Sequence, residues 1–461
     1  MTDALSAPVL AGHALSAAAA PGLSAGDTAW LLVATALVLL MTPGLALFYG
    51  GMVRTKSVLN MLMMSFVSIA LVTVVWLAAG YSLAFGHDLG GLGLLGGFEH
   101  LGMRGITPQT LTGHVPTLLY ATFQLTFAII TAALISGAIA DRTRFNAWVL
   151  FVLAWTLLVY VPIAHWVFSP DGWIAAQLHA LDFAGGTVVE VNSGASGLAL
   201  ALVLGPRLGF RREAMRPHNL PLVLLGAGLL WFGWFGFNAG SALGANGLAA
   251  AALLNTQAAA CTGLLGWLAV EKFRDGHPTT LGAASGAVAG MVAITPSCGS
   301  VDLLGALVIG LVAGVLCSYA VSWKFRLGYD DSLDVVGVHL VAGIAGTVLI
   351  GLFATSMMTG GPEGLLHGGG LGQLWRQAVA VLATGVYAFT VSYGLGKLID
   401  RFVGFRAPAE HELTGLDLAE HAETAYDHGV IHQGALAGSA AHSAHTVHTA
   451  GAAHRNETAA P

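Results

Sequence analysis

Eleven apolar runs recur along this chain, and most approach the length of about 20 residues that a helix needs to cross a hydrocarbon core. They cover residues 30–48, 58–85, 115–140, 147–168, 187–204, 220–238, 248–270, 281–294, 303–323, 335–353 and 374–399. The eighth is short, and the connection 87–114 is the longest. Only 9% of the residues are charged, and the mean hydropathy is +0.74. A water-soluble chain of ordinary composition carries about a quarter charged residues, so the fold expected is an all-α polytopic membrane protein with eleven transmembrane helices. No basic stripe suggests nucleic acid, and membrane lipid is the surrounding partner. Cys261, Cys298 and Cys317 lack metal-ligand spacing and read as small packing residues.

Basic residues set the orientation. Alternate connections carry Arg54 and Lys56; Arg142 and Arg144; Arg207, Arg211, Arg212 and Arg216; Lys272 and Arg274; Lys324 and Arg326; and Lys397, Arg401 and Arg406. The opposite set offers only Arg104 and Arg376. Cytoplasmic connections are the ones enriched in Lys and Arg, so the N-terminus is expected outside the cell membrane and the C-terminus in the cytoplasm. Residues 1–26 lack the positive n-region of a signal peptide. They read as a short extracytoplasmic arm, with cleavage as a signal the alternative. Residues 27–402 form the transmembrane domain and 403–427 an acidic cytoplasmic tail. Residues 428–461 are rich in Ala and His, with His428, His432, His442, His445, His448 and His454, and their composition argues disorder.

Two stretches share one design. Residues 182–197 and 331–346 each begin with an aspartate and place an ionisable side chain eight residues later, Glu190 and His339. Glycines follow at matching intervals, Gly194 and Gly197 in one and Gly343 and Gly346 in the other. An ionisable group in mid-membrane is expensive, and it usually lines a pathway or cavity. Glycines at helix interfaces let backbones approach closely. Five helices entering from outside followed by five entering from inside would make inverted repeats, with the twin stretches in matching fifth and tenth helices and a final helix added. Glu190 and His339 would then meet near the midplane.

Longer motifs carry a family resemblance. PGLALFYGGMVR at 43–54, DFAGGTVV at 182–189, PHNLPLVLLG at 217–226, WFGWFGFNAGSALGAN at 231–246 and DVVGVHLVAGIAG at 334–346 resemble the ammonium transporter, methylammonium permease and Rhesus family. The resemblance implies eleven helices, a homotrimer, one narrow pore per subunit for ammonium, ammonia or methylammonium, and no cofactor or metal. It places an outer recruitment site on Phe127 and Ser241, and a stacked phenylalanine gate on Phe127 and Phe237. Phe123 and Trp234 join them as candidate lining rings, and Asp182 would shape the vestibule. Two departures stand out. The family's recruitment-site tryptophan falls on Phe168, with Trp173 just beyond it, and the first of its twin pore histidines falls on Glu190. The tail up to Tyr426 resembles the segment that docks PII signal proteins.

Simpler roles fit several of these residues. Asp182 and Asp331 precede helix starts and suit N-caps. Phe127 and Phe237 suit ordinary packing, Ser241 can satisfy a nearby carbonyl, and His339 can be a satisfied core histidine. The chemistry nevertheless has its own logic. A bare ion in low dielectric costs of order 20 kcal/mol in the idealised limit, whereas an aromatic face returns about 2 kcal/mol or more to a desolvated cation. Ammonium can leave a proton behind and cross as a neutral molecule, which potassium cannot. A carboxylate at Glu190, in place of imidazole, is expected to make the pore less strict about charge. The alternatives are an ammonium sensor acting through a bound partner, or a less selective cation channel. No nucleophile and base pair suggests an enzyme.

Overall fold

A computed structural model describes residues 22–426, and these are overwhelmingly helical. The described residues include one two-stranded sheet, β1 (Leu111–Thr112) paired antiparallel with β2 (Val115–Pro116). Among the described residues, ten helices are long and apolar enough to cross a membrane: α1 (Ala25–Met52), α2 (Thr55–Phe85), α3 (Thr117–Ile139), α4 (Phe145–Phe168), α5 (Gly186–Leu204), α6 (Leu220–Gly240), α7 (Gly247–Arg274), α9 (Leu303–Leu327), α10 (Val336–Phe353) and α11 (Gly372–Phe402). Between α7 and α9 lies α8 (Thr280–Ile294), apolar but only 15 residues long. At 1.5 Å per residue that is about 23 Å, short of a core about 30 Å thick. The backbone continues beyond it in turns through residues 295–300.

Most helices outrun the apolar runs that announce them, because their ends are polar. Ser24 caps α1 through the amide of Asp27 (3.3 Å), Asn219 caps α6 through Leu222 (3.0 Å), and Asn246 caps α7 through Ala249 (3.0 Å). Thr279 and Asp302 do the same for α8 and α9, each at 2.8 Å. A capping side chain satisfies one of the amides that no helical carbonyl reaches. Basic last turns extend α7 and α9, where cations complement the helix dipole. Helices α3 and α5, the latter carrying the first of the twin stretches, are the most enclosed spans. Helices α2 and α11 instead turn apolar side chains such as Phe66, Val74, Leu382 and Val386 outward, as a lipid solvent requires.

The basic end of the bundle is tied by a buried ionic network. Arg207 grips Asp330 bidentately, Nε to Oδ2 at 2.9 Å and Nη2 to Oδ1 at 2.8 Å. Arg54 reaches Asp141 at 3.0 Å, and Arg142, fully buried, donates to the Asp330 carbonyl and to Ser332 Oγ, both at 2.6 Å. Burial opposes the Asp330 charge, yet the Arg207 hydrogen bond and the charges of Arg142 and Arg207 hold its carboxyl below the usual range.

The acidic tail folds back on this end as α12 (Ala409–Thr414) and α13 (Leu416–His421). Its carboxylates take backbone amides of the membrane domain: Glu412 that of Leu208 (2.5 Å), Asp417 that of Asn60 (2.8 Å) and Glu420 that of Phe145 (3.1 Å). Cys298 and Cys317 are buried thiols, and Cys261 is half-buried. The expectations for the N-terminal arm before Gly22 and for the His-rich tail fall outside the described residues.

Removing one member of a buried ion pair strands the other charge, which costs about 3–5 kcal/mol. Asp330→Ala should therefore lower the thermal stability of the detergent-solubilised protein by that order. Because the Asp330 carboxyl sits below its unfolded value, its contribution is present above about pH 4 and fades as the pH falls further. Thermal unfolding followed by tryptophan fluorescence checks both, and an unchanged melting curve would mean that the arginines find other partners.

Candidate functional site

Helices α5 and α10 open alike. Each starts in a wide π-helical turn, Gly186–Val191 in α5 and Val336–Leu340 in α10, and these turns hold Glu190 and His339. Such turns are rare and frequent at functional sites. An aspartate caps each one. Asp182 Oδ1 accepts from the amides of Gly185 (2.8 Å) and Gly186 (2.7 Å), while Oδ2 accepts from the amide of Thr187 (2.7 Å) and from its hydroxyl. Asp331 accepts from Val335 (3.1 Å) and Val336 (2.8 Å). Burial pushes the Asp331 carboxyl up to about 6, against the pull of Lys324.

The two openings meet face to face. A methyl group added at Gly343 would lie 2.9 Å from Glu190 Cβ, and one at Gly194 would lie 2.5 Å from the Leu340 amide nitrogen. With those positions bare, His339 Nδ1 comes within 2.7 Å of Glu190 Oε2. Both side chains are nearly inaccessible, Glu190 at 1% and His339 at 5%. A hydrogen bond this short between a carboxyl group and an imidazole holds one proton between the two, whichever group donates it.

Above the pair stands a cluster of rings. Phe127 and Phe237 stack with centroids 4.3 Å apart and planes tilted by 39°, Phe123 meets Phe127 edge-on at 4.9 Å, and Phe168 does so at 6.4 Å. Trp234 lies 5.7 Å from Phe237, and its Nε1 is occupied by Thr295 Oγ1 at 2.8 Å. Ser241 Oγ donates to the Phe237 carbonyl at 2.8 Å, beside the cluster. Trp173 lies instead near Trp166, with centroids 5.9 Å apart and planes tilted by 59°.

Between rings and pair is a cavity of about 10 Å³, lined by Met41, Leu45, Phe48, Ile130, Leu134, Val189, Glu190, Leu230, Trp234, Phe237, Val288 and His339. That is close to the smallest space that admits one water-sized molecule. Asp182 stays outside this lining as the cap of α5. The aliphatic walls carry no sequence signal of their own, because Leu134 or Val288 looks like any other apolar residue of a span. Thr295, which fixes the Trp234 indole, is equally silent.

Apolar helices long enough to cross a membrane, packed around a small cavity that is closed by stacked rings and bounded by one carboxyl–imidazole contact, define a multi-pass membrane protein. The Ammonium Transporter Family model matches residues 29–426, so the chain belongs to that family, which is one of transporters and not of enzymes. An ammonium transporter of Mycobacterium tuberculosis is 54% identical over 434 residues, covering 88% of this chain and 91% of the relative. The crystal structure of Saccharomyces cerevisiae Mep2 superposes with a TM-score of 0.79 at 36% identity, covering 84% of this chain and 88% of Mep2. A structure described as a sensor Amt protein does so with 0.79 at 29%, covering 86% and 98%.

The close crossing of α5 and α10 makes Gly343 intolerant of a side chain. Overpacking of this kind costs about 1–3 kcal/mol, so Gly343→Ala should destabilise by that order. Gly385→Ala, where a methyl finds only Val191 Cγ1 at 3.5 Å, should instead be neutral or stabilising by up to about 1 kcal/mol. Melting temperatures of the two purified variants give the comparison.

Proposed function

We propose that the chain carries ammonium across the cell membrane, taking the cation at an outer aromatic site and passing ammonia, stripped of a proton, by Glu190 and His339. Methylammonium would follow as a slightly larger analogue. The observation that supports this most is the water-sized apolar cavity whose only ionisable lining groups, Glu190 and His339, already share a hydrogen bond. A neutral molecule can occupy such a space at little cost. Potassium would have to enter it bare, at a penalty of order 20 kcal/mol in the idealised limit that ring faces worth about 2 kcal/mol do not offset.

In this reading Phe127, Phe123, Phe168 and Phe237 form the outer recruitment site and gate, with Ser241 at its edge. Phe168 takes the place of the recruiting tryptophan, because its ring lies against Phe127. The basic end faces the cytoplasm, eleven helices cross the membrane as two inverted repeats plus α11, and three subunits assemble, each with its own pore. A PII-like regulator would meet the basic end. Since Glu412, Asp417 and Glu420 are engaged with the chain's own amides, the exposed arginines there suit such a contact better than the acidic tail does. Signalling through that partner is the second reading, favoured by the likeness to a sensor Amt protein.

Glu190 distinguishes this pore from a twin-histidine one. An isolated carboxylate about 4 Å from a cation would attract it by about 4 kcal/mol at an effective dielectric of 20. Here the carboxylate is turned to His339, so the proton they hold in common offsets much of that attraction. Glu190→His is therefore expected to shift the pH profile of ammonium current in proteoliposomes while potassium current stays small in both proteins. Identical pH profiles would remove Glu190 from the mechanism. Indole is the better cation-π partner, so Phe168→Trp should lower the half-saturating ammonium concentration several-fold. No change in the same assay would take Phe168 out of the recruitment site.

A further inference from the structure

A buried histidine ties the ring-bearing end of α4 to the loop that follows α2. His165 is inaccessible to solvent. Its Nδ1 lies 2.8 Å from the carbonyl oxygen of Ala84, and its Nε2 lies 3.3 Å from Asp88 Oδ1. A peptide carbonyl cannot donate, and neither can an ionised carboxylate. A neutral imidazole has one N–H and satisfies one of these acceptors, whereas the imidazolium satisfies both. Burial opposes the Asp88 charge, but the Gly93 amide, His165 and the Gly91 amide hold its carboxyl below the usual range. Its second oxygen, Oδ2, is buried without a hydrogen-bond partner among the described residues. The other ionisable groups of this corner are His87, 3.8 Å from the part-exposed Asp171, Glu99, which accepts from the His87 amide, and His100. His87 and Asp171 are open to solvent, where such pairs contribute little.

The pair closes a clasp. Asp88 forms an antiparallel bridge with Gly96, Trp166 Nε1 donates to the Leu94 carbonyl at 2.9 Å, and the Trp173 amide donates to the Gly93 carbonyl at 3.1 Å. Residues 88–96 are thereby held against residues 165–173, and Phe168 lies between these attachments with its edge on Phe127.

We propose that His165 is a positioning residue for the outer aromatic site. With a second proton the ring donates to both Ala84 and Asp88 and keeps the loop clasped to the segment that carries Phe168, and loss of that proton as the outer pH rises loosens the clasp and weakens capture of ammonium. This rests on the reading of Phe168 as part of the recruitment site.

The test compares the full-length protein with Asp88→Asn in proteoliposomes, at fixed ammonium ion concentration, between about pH 5 and 8, where a histidine changes charge. In the unaltered protein the half-saturating concentration should rise about fivefold or more with pH, a coupling of ordinary size. An asparagine can donate to the neutral ring, so Asp88→Asn should hold the clasp at every pH and flatten that rise. A second readout needs no transport. Amide hydrogen exchange of residues 88–96, corrected for its intrinsic pH dependence, should rise with pH in the unaltered protein and not in Asp88→Asn. A protein that shows this exchange pattern but no ammonium current would contradict the transport reading and leave the clasp standing. The clasp is overturned if exchange and half-saturation are flat in the unaltered protein, or if Asp88→Asn keeps the same pH dependence.

Discussion

The hydrogen bond between Glu190 and His339 is the contact on which the remaining architecture depends. Neither group can stand alone in apolar surroundings without a large penalty, and each answers the other at 2.7 Å. Reaching that distance takes two wide helical turns that aim the side chains inward, two aspartates that hold those turns open, and bare glycines where the helices cross. A change at Gly343 would press directly on Glu190, whereas a change at the capping aspartates would act on the pair through the backbone.

The surrounding layers follow from isolating such a contact. Stacked rings close one side, aliphatic side chains line the remaining walls, and the cavity left holds about one water-sized molecule. At the basic end, Asp330 accepts the Arg207 fork immediately before Asp331 caps α10. Arg207 is also the neighbour of Leu208, whose amide is taken by the tail's Glu412. The helix bearing His339 is thus anchored to the same ionic network that receives the tail. These are buried charges, and buried pairs fix geometry more surely than they add stability.

Much of this was legible in the sequence, for identifiable reasons. Apolar length gave the spans, and the twin stretches gave Glu190, His339 and the crossing glycines, because a polar group among aliphatics has few other uses. The short eighth run appears as the 15-residue α8. Other features left no readable trace. A π-helical turn has no composition of its own, and Met41, Leu134 and Val288 line the cavity while resembling every other apolar residue in the spans. That Phe168 meets Phe127 while Trp173 lies near Trp166 is a matter of loop conformation, which the sequence does not display. Acidity in the tail was visible, but not that Glu412, Asp417 and Glu420 serve as acceptors for the chain's own amides. The clasp of His165 and Asp88 joins residues 77 positions apart, beyond any local pattern.

The central claim is that an ion which can shed a proton passes this site and an equally charged ion which cannot does not. Purified protein in liposomes, with membrane current and internal pH recorded together under equal inward gradients of ammonium or potassium, puts that claim to its most direct test. The account predicts a protein-dependent ammonium signal, seen as a change in internal pH with or without current, and no potassium current above that of empty liposomes. A potassium current comparable to that of ammonium would contradict it, because the path would then carry charge past Glu190 and His339 without any proton being given up.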